Sequence, residues 1–338
     1  MLRLPWFDYR APRSVAEAAK ILAGEGPAAM LIAGGTDLLP NMKRRHQTPK
    51  TLVSLKGIEE LRRSSNGSGI VLGSALNLTG ISENKNIKEK FTALQQAAAQ
   101  VATPHLRNMG TLGGNLCLDT RCTYYNQNYE WRQAIDFCLK KDGDICWVAT
   151  ASKRCVAVSS TDTAPALIAL NAKVVLEGSA GEREIPVETL YRNDGIDYLS
   201  RKPDEILTRV VIPGGWQSTY WKLRRRGSFD FPILGVAAAL QFNSDSSIKE
   251  ARIALGAAAS RPFLVEKASQ YLKGRKLTDD VIAEASAMIA SRAKPLDNTD
   301  MDLYWRKEVA DDFAGYALRE LRGDDMRETR LRIARYLV

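Results

Sequence analysis

Apolar positions in the first two thirds of the chain alternate between helical spacing and short continuous runs. Helical spacing predicts helices over 14–23, 87–101 and 163–170. Short apolar runs predict strands over 28–33, 51–54, 69–73 and 173–176, and a strand that ends at 211–212. Strands and helices that alternate in this way are typical of an α+β or α/β domain.

A second set of predicted strands and helices follows Pro213, Gly214 and Gly215, a run that breaks both helices and strands. Strands are predicted beyond it over 220–223, 235–242 and 251–255, and helices over 262–272, 279–293 and 305–321. We therefore expect an α+β chain of two domains, residues 1–215 and a smaller α+β domain over 216–338. The last helices run into a charged tail, residues 319–335, which we interpret as a solvated helix face or a docking segment for a partner.

The stretch from Leu116 to Val156 shows little periodicity and mixes aromatic with charged residues, so it looks inserted. All five cysteines of the chain fall within it, at positions 117, 122, 138, 146 and 155. An odd number of cysteines without an apolar leader segment argues against disulfides and for thiolate ligands in a reducing compartment. We therefore expect a metal-binding insertion over about 117–157 in a cytoplasmic protein.

The chain is basic, with 48 Lys and Arg against 39 Asp and Glu. These positive charges are spread along the sequence instead of being gathered on one helix, and the densest cluster is Arg224 to Arg226. We therefore expect no nucleic acid and no membrane as partners, and interpret the charge as a basic surface for acidic subunits or anionic substrates.

Two adjacent glycines, Gly34 and Gly35, follow a predicted strand. Without a Cβ, their backbone amides can approach an anionic group such as a diphosphate. The glycine spacing is not that of a Rossmann fingerprint, and no Walker lysine follows. Taken alone, this motif is also explained by a tight turn from strand to helix.

A second glycine pair, Gly113 and Gly114, lies between Thr111 and Asn115 and offers backbone donors beside hydroxyl and amide groups. This loop could close over the other side of an extended dinucleotide, although in isolation it is more often a turn. The two motifs about 80 residues apart, in this order, predict a dinucleotide site better than either does alone.

These motifs resemble those of the FAD-binding domain in the molybdopterin dehydrogenase family, the medium subunits of xanthine dehydrogenase-like and carbon monoxide dehydrogenase-like enzymes. The resemblance extends to the segments 162–167, 203–207 and 220–223. It implies a PCMH-type FAD-binding domain with two α/β subdomains, about 1–56 and 57–215, and a C-terminal domain of the carbon monoxide dehydrogenase flavoprotein type.

The resemblance also implies which residues bind FAD. In it, Asp162 contacts the ribose or nearby hydroxyls, and Leu207 and Lys222 lie beside the isoalloxazine ring. Asp162 could instead cap the helix that follows it, and Lys222 could be a solvated charge on a strand. The implied FAD-binding residues are Leu31, Ile32, Ala33, Gly34, Gly35, Thr36, Asp37, Leu38, Val101, Thr111, Leu112, Gly113, Gly114, Asn115, Asp162, Leu207 and Lys222.

Four of the cysteines are separated by gaps of fifteen, seven and eight residues: Cys122, Cys138, Cys146 and Cys155. Four thiolates suit either a tetrahedral Zn²⁺ ion or a [4Fe–4S] cluster. A structural zinc site commonly uses closely spaced pairs, so the long gaps favour the cluster without deciding the question. Cys117 is left as a free thiol and is interpreted as a small buried apolar residue.

The run from Asn115 to Gln127 resembles the beta subunits of 4-hydroxybenzoyl-CoA reductases, a branch of the same family. This resemblance implies that the four cysteines hold a [4Fe–4S] cluster beside FAD. It also implies an electron-transfer subunit without a catalytic residue of its own, in complex with a large molybdenum-cofactor subunit and a small [2Fe–2S] subunit, fed by a low-potential donor such as ferredoxin. The alternatives are an aldehyde or N-heterocycle oxidoreductase subunit and a non-catalytic scaffold with a zinc loop.

Overall fold

The computed structural model describes residues 2–335, and the chain begins with a three-stranded parallel sheet. Strand β1 (Asp8–Arg10) and strand β2 (Ala29–Ile32) flank the central β3 (Thr51–Ser54). Helix α1 (Val15–Glu25) joins the first two strands, and the Ser14 side chain caps it by accepting from the amide of Glu17. Helix α2 (Leu38–Lys43) follows the glycine pair after β2.

The second sheet has five antiparallel strands in the order β4-β5-β8-β6-β7. Seven short helices lie between β5 and β6 in the sequence, and the last of them, α9, follows the cysteine-rich stretch, residues 116–156. The strands are β4 (Ser64–Asn66), β5 (Gly69–Gly73), β6 (Lys173–Gly178), β7 (Gly181–Pro186) and β8 (Ile206–Pro213). The helices are α3 (Leu78–Glu83), α4 (Lys85–Lys90), α5 (Thr92–Ala99), α6 (Pro104–Met109), α7 (Leu112–Leu116), α8 (Tyr129–Ala134) and α9 (Thr163–Ala169).

The C-terminal part is a four-stranded antiparallel sheet in the order β12-β11-β10-β9, packed against helices. Gly214 and Gly215 connect the second sheet to this third one. The strands are β9 (Gln217–Leu223), β10 (Leu234–Phe242), β11 (Ile248–Gly256) and β12 (Phe263–Leu264). The helices are α10 (Glu266–Leu272), α11 (Asp279–Arg292), α12 (Leu303–Arg322) and α13 (Arg327–Arg335).

Helix α9 shows how the second and third sheets share one core. All seven of its residues are buried, and they pack with Ala237 and Ala239 of β10 and Ala254 of β11. A helix that is apolar on every side must be enclosed by protein. The start of α9, where Asp162 lies, is therefore held rigidly between the two sheets.

The predicted α+β class is confirmed, but two predicted helices are wrong in detail. The single helix expected over 87–101 is broken at Phe91, whose backbone (φ −135°, ψ 49°) is not helical and whose ring is buried in the core. The helix expected from Pro262 begins only at Glu266, because Phe263 and Leu264 extend as β12 and pair with β11. In both places tertiary packing overrides the local periodicity. Within residues 2–335 no helix has the length and apolar character needed to cross a bilayer.

Candidate functional site

A cavity of about 330 Å³ opens where the two glycine loops face each other. Fifteen of the seventeen residues expected to bind FAD line it, which brings together segments from both sheets of residues 1–215. The two exceptions are Leu112 and Lys222. Leu112 is fully buried in the core of the second sheet, so its side chain packs away from the cavity.

The first glycine loop requires both of its glycines. A Cβ on Gly34 would collide with the carbonyl oxygen of Met109 at the end of α6. Gly35 has φ +71°, a left-handed conformation that favours glycine. The loop therefore packs closely against α6, and both glycines line the cavity without a side chain that would obstruct a diphosphate.

The second glycine loop is built around Thr111. Its hydroxyl accepts from the amide of Gly114 (3.1 Å), and the amide of Gly113 donates to the carbonyl of Ser74 (2.8 Å). A Cβ on Gly113 would lie 2.8 Å from the Cβ of Ser74, so this position also excludes larger residues. Both glycines of this loop line the cavity, together with Thr111 and Asn115.

Asn115 has a role that the sequence did not reveal. Its Oδ1 accepts from the hydroxyls of Thr161 (2.8 Å) and Thr163 (2.7 Å) and from the amide of Thr163 (3.1 Å). Asn115 thereby caps the start of α9 from 48 positions earlier in the chain. Asp162 makes no capping hydrogen bond, so the capping alternative for Asp162 is wrong.

Lys222 lies behind Asp162 and is not among the residues that line the cavity, and its expected place beside the flavin ring stays a prediction. Its ammonium donates to Asp162 Oδ2 (3.0 Å) and to the carbonyls of Gln100 and Asp230 (2.9 Å each). The Tyr220 hydroxyl donates to the other oxygen of Asp162 (2.9 Å). All three Lys222 donors are thus used: two fix the ammonium on backbone carbonyls and the third orients Asp162, which itself lines the cavity.

The start of the cysteine-rich stretch forms part of the cavity wall, through Cys117, Leu118 and Asp119. The Asp119 carboxylate accepts from the Lys140 ammonium (2.8 Å), and its other oxygen accepts from the Tyr125 hydroxyl (2.9 Å). Burial raises the pKa of the Cys117 thiol, so this thiol is neutral, but Cys117 is only partly buried and lines the cavity, unlike the fully buried position expected for it. The cysteine-rich stretch therefore forms part of the cavity as well as carrying thiols.

The other four cysteines are all buried free thiols in the cysteine-rich stretch. Cys122, Cys138 and Cys155 pack around Tyr125 in one small cluster. Burial raises the pKa of Cys122, and it raises that of Cys155 to about 11, although backbone amides directed at both sulfurs act in the opposite direction. Within residues 2–335 no three His, Cys, Asp or Glu side chains are arranged to hold a single metal ion.

Three buried polar atoms of cavity-lining residues have no hydrogen-bond partner within residues 2–335. They are the hydroxyls of Ser74 and Ser160 and the side-chain oxygen of Gln47, and all three residues line the cavity. Buried polar groups without a partner are costly, so these atoms call for a polar ligand. Together with the two glycine loops, they fit a molecule such as FAD, which carries phosphates, hydroxyls and a polar ring system.

Comparisons with known proteins identify this arrangement. Residues 5–215 match the FAD binding domain in molybdopterin dehydrogenase, and residues 218–321 match the CO dehydrogenase flavoprotein C-terminal domain. The chain is 30% identical over 278 residues to the aldehyde oxidoreductase FAD-binding subunit PaoB of Escherichia coli K12, covering 79% of this chain and 86% of the relative. It is 27% identical over 319 residues to the carbon monoxide dehydrogenase medium chain of Hydrogenophaga pseudoflava, covering 93% and 96%.

A solved structure of carbon monoxide dehydrogenase from Hydrogenophaga pseudoflava superimposes on the chain with a TM-score of 0.76. The match has 25% sequence identity and covers 94% of this chain and 97% of that one. The chain thus belongs to the FAD-binding medium subunits of the molybdenum hydroxylase-type oxidoreductases, the family of the carbon monoxide dehydrogenase and aldehyde oxidoreductase flavoproteins.

Proposed function

We propose that this chain passes electrons between a [4Fe–4S] cluster in the cysteine-rich stretch and FAD in the cavity. Cys122, Cys138, Cys146 and Cys155 would hold the cluster. The observation that carries the proposal is that these four buried thiols lie in the segment that also walls the cavity, through Cys117 to Asp119. When bound, FAD exchanges electrons singly or in pairs and so links one-electron centres to two-electron chemistry.

The surroundings of the thiols support a metal centre. Cys122 and Cys155 are buried, and backbone amides are directed at both sulfurs. The amide of Ala157 points at the Cys155 sulfur (3.4 Å), an orientation that stabilises a ligated thiolate.

Tyr125 connects the proposed cluster to the cavity. Its ring packs among Cys122, Cys138 and Cys155, and its hydroxyl donates to Asp119, which lines the cavity. The ammonium of Lys140 lies over the same ring, 4.7 Å from its centroid. One side chain thus spans the distance between the thiols and the cavity wall, which favours electron transfer between the two groups.

For the complex as a whole, we propose the activity of a 4-hydroxybenzoyl-CoA reductase. A large subunit with a molybdenum cofactor would act on the substrate, a small [2Fe–2S] subunit would carry electrons to it, and a low-potential donor such as ferredoxin would supply this chain. Removal of a hydroxyl group from an aromatic ring requires electrons at low potential, and an additional cluster beside FAD suits that demand. This chain would contribute no catalytic residue to the substrate reaction.

An aldehyde oxidoreductase is the second candidate, and the 30% identity to the FAD-binding subunit PaoB favours it. The complex purified with its neighbouring subunits separates the two. Consumption of 4-hydroxybenzoyl-CoA with a reduced low-potential donor supports the first activity. Oxidation of aldehydes with an artificial acceptor, without any turnover of the thioester, supports the second.

The cluster itself is tested by analysis of iron, sulfide, zinc and flavin in chain purified without oxygen. We expect about four iron and one FAD per chain. Cys138→Ser or Cys146→Ser should lose the iron, whereas Cys117→Ser, the matched control in the same segment, should keep it. Stoichiometric zinc without iron would refute the cluster and leave a flavoprotein with a structural metal loop.

A further inference from the structure

Arg121 has no part in the assignments above, although it immediately precedes Cys122. Its side chain is only 5% exposed. Its backbone pairs with that of Val158 through two hydrogen bonds (2.8 and 2.7 Å), which close the base of the cysteine-rich stretch. A buried guanidinium at such a fixed point needs partners, because an unpaired buried charge is strongly destabilising.

One set of partners belongs to the first glycine loop. The Arg121 guanidinium forms an ion pair with Asp37 and donates to Asn41 Oδ1 (3.1 Å). The Asn41 amide in turn donates to Asp37 (3.0 Å), so the three side chains form a closed triangle. Asp37 and Asn41 both line the cavity, so Arg121 fixes the turn that leads from Gly35 into α2.

The other partner lies in the C-terminal part of the chain. The guanidinium carbon of Arg121 stacks over the Phe231 ring, 4.7 Å from its centroid. Phe231 and its neighbour Phe229 lie on the connection between β9 and β10, and both line the cavity. Their side chains are otherwise open to solvent, with Phe231 47% and Phe229 61% exposed. The contact with Arg121 therefore sets where this aromatic cover lies.

We propose that Arg121 is a positioning residue that holds the aromatic cover, Phe229 to Phe231, over FAD and ties it to the first glycine loop and to the cysteine-rich stretch. The proposal rests on FAD binding in the cavity and does not depend on the cluster. Only the planar guanidinium can pair with a carboxylate along its edge while stacking on a ring with its face. The consequence is slow release of FAD.

Arg121→Lys and Phe231→Leu separate the two contacts. Lysine keeps a positive charge for Asp37 but loses the planar stack, and Phe231→Leu removes the stack while leaving the ion pair intact. We expect each variant of the full chain to release FAD about tenfold faster than the wild type. Phe231→Tyr retains the aromatic ring that stacks on Arg121, so it should release FAD at the wild-type rate.

The test is a double-mutant cycle on the FAD release rate, followed by the rise of flavin fluorescence on dilution. If one shared contact acts, the double variant should release FAD no faster than the single variants. Arg209→Gln, which breaks a surface ion pair between Arg209 on β8 and Glu182 on β7, is the matched control and should not change the rate. Additive effects, or wild-type release by Phe231→Leu, would overturn the proposal.

The outcomes also separate this inference from the proposed function. Iron content should be the same in Phe231→Leu as in the wild type, because Phe231 contributes no thiol and its substitution leaves the four cysteines unchanged. If the chain holds no iron and yet the cycle shows coupling, the cluster assignment fails and the role of Arg121 stands. If the chain binds iron and the cycle is additive, the cluster assignment stands and the role of Arg121 fails.

Discussion

The ammonium of Lys222 lies 3.0 Å from the carboxylate of Asp162, and both side chains are almost completely buried. Lys222 belongs to β9 of the third sheet, whereas Asp162 precedes α9 at the cavity wall. Burial raises the pKa of Asp162 and lowers that of Lys222, so each charge depends on the other to remain ionised. The pair is thus a charged connection between the C-terminal sheet and the FAD cavity.

Replacement of Lys222 by methionine should therefore be severe. The variant leaves the Asp162 carboxylate buried with Tyr220 as its one remaining side-chain donor. We expect the free energy of unfolding to fall by about 3–5 kcal/mol, the usual cost of breaking a buried ion pair on one side. Urea denaturation of the chain stripped of FAD measures this loss, and FAD content measures the effect on the cavity.

Lys173→Met is the matched control, because Lys173 pairs with Glu184 on the surface, where both side chains are about half exposed. That pair should contribute less than about 1 kcal/mol. Equal losses in the two variants would show that Lys222 and Asp162 do not act as a buried pair.

Strands were easier to predict from the sequence than the site was. The strands at 51–54 and 69–73 have the predicted bounds, because each is a short apolar run that is bounded by turn residues. The break at Phe91 was missed because the core, and not the local pattern, decides it. The roles of Asn115, Asp119 and Arg121 were missed for a related reason, since most of their partners lie far away in the sequence and leave no local motif.

The first glycine loop leads to a second prediction, at Gly34. Its α-hydrogens face the carbonyl of Met109, and the Cβ of an alanine would collide with that oxygen. Since the obstacle is backbone, the loop itself must shift away from α6. We expect Gly34→Ala to destabilise the chain by about 1–3 kcal/mol and to lose most of its FAD. Calorimetry and flavin content after gel filtration measure the two effects.

Gly24→Ala is the control for Gly34. Gly24 lies within α1, is exposed, and has open space where a Cβ would be added. Alanine there should stabilise the chain by about 0.5–1 kcal/mol, because it lowers the entropy cost of forming the helix. Full FAD content in Gly34→Ala would contradict the role assigned to this loop.

A third prediction concerns the charged tail, whose helix α13 folds back onto the third sheet. The Arg330 guanidinium donates to both carboxylate oxygens of Glu320 (2.8 and 2.6 Å) and lies 3.9 Å from the centroid of a Trp221 ring. Arg330→Met should cost about 1–3 kcal/mol of unfolding free energy, because the hydrogen bonds to a charged group are lost. Arg327→Met, at a site that is 87% exposed, should change it by less than about 0.5 kcal/mol.

Docking of a partner by this tail stays a hypothesis that the same variants can address. If Arg330→Met weakens assembly with partner subunits only as far as it weakens the fold, the tail is a structural element. Weaker assembly in Arg327→Met, with the fold intact, would show that the exposed face of α13 binds a partner.

The last prediction is a pH dependence that arises at His46. This side chain is 3% exposed and stacks on the Tyr125 ring, with centroids 4.1 Å apart. Its Nε2 lies 3.2 Å from the carbonyl of Gln127, while Nδ1 is buried without a partner. Burial, with the nearby charge of Arg132, lowers the pKa of His46 from 6.5 to about 4.

Because the pKa of His46 is lower in the folded chain than in the unfolded chain, the unfolded chain binds the additional proton first as the pH falls. Stability from neutral His46 is therefore complete above about pH 6.5 and is lost progressively towards pH 4, by about 2 kcal/mol after allowance for solvent screening.

The variant His46→Gln should be less stable than the wild type at pH 7.5, because it lacks the stack on Tyr125. The difference should shrink as the pH falls through this range, since only the wild type has the imidazole to protonate. Urea denaturation of both proteins at half-unit pH steps measures it, and a difference that does not change with pH would show that His46 titrates alike in the folded and unfolded chains.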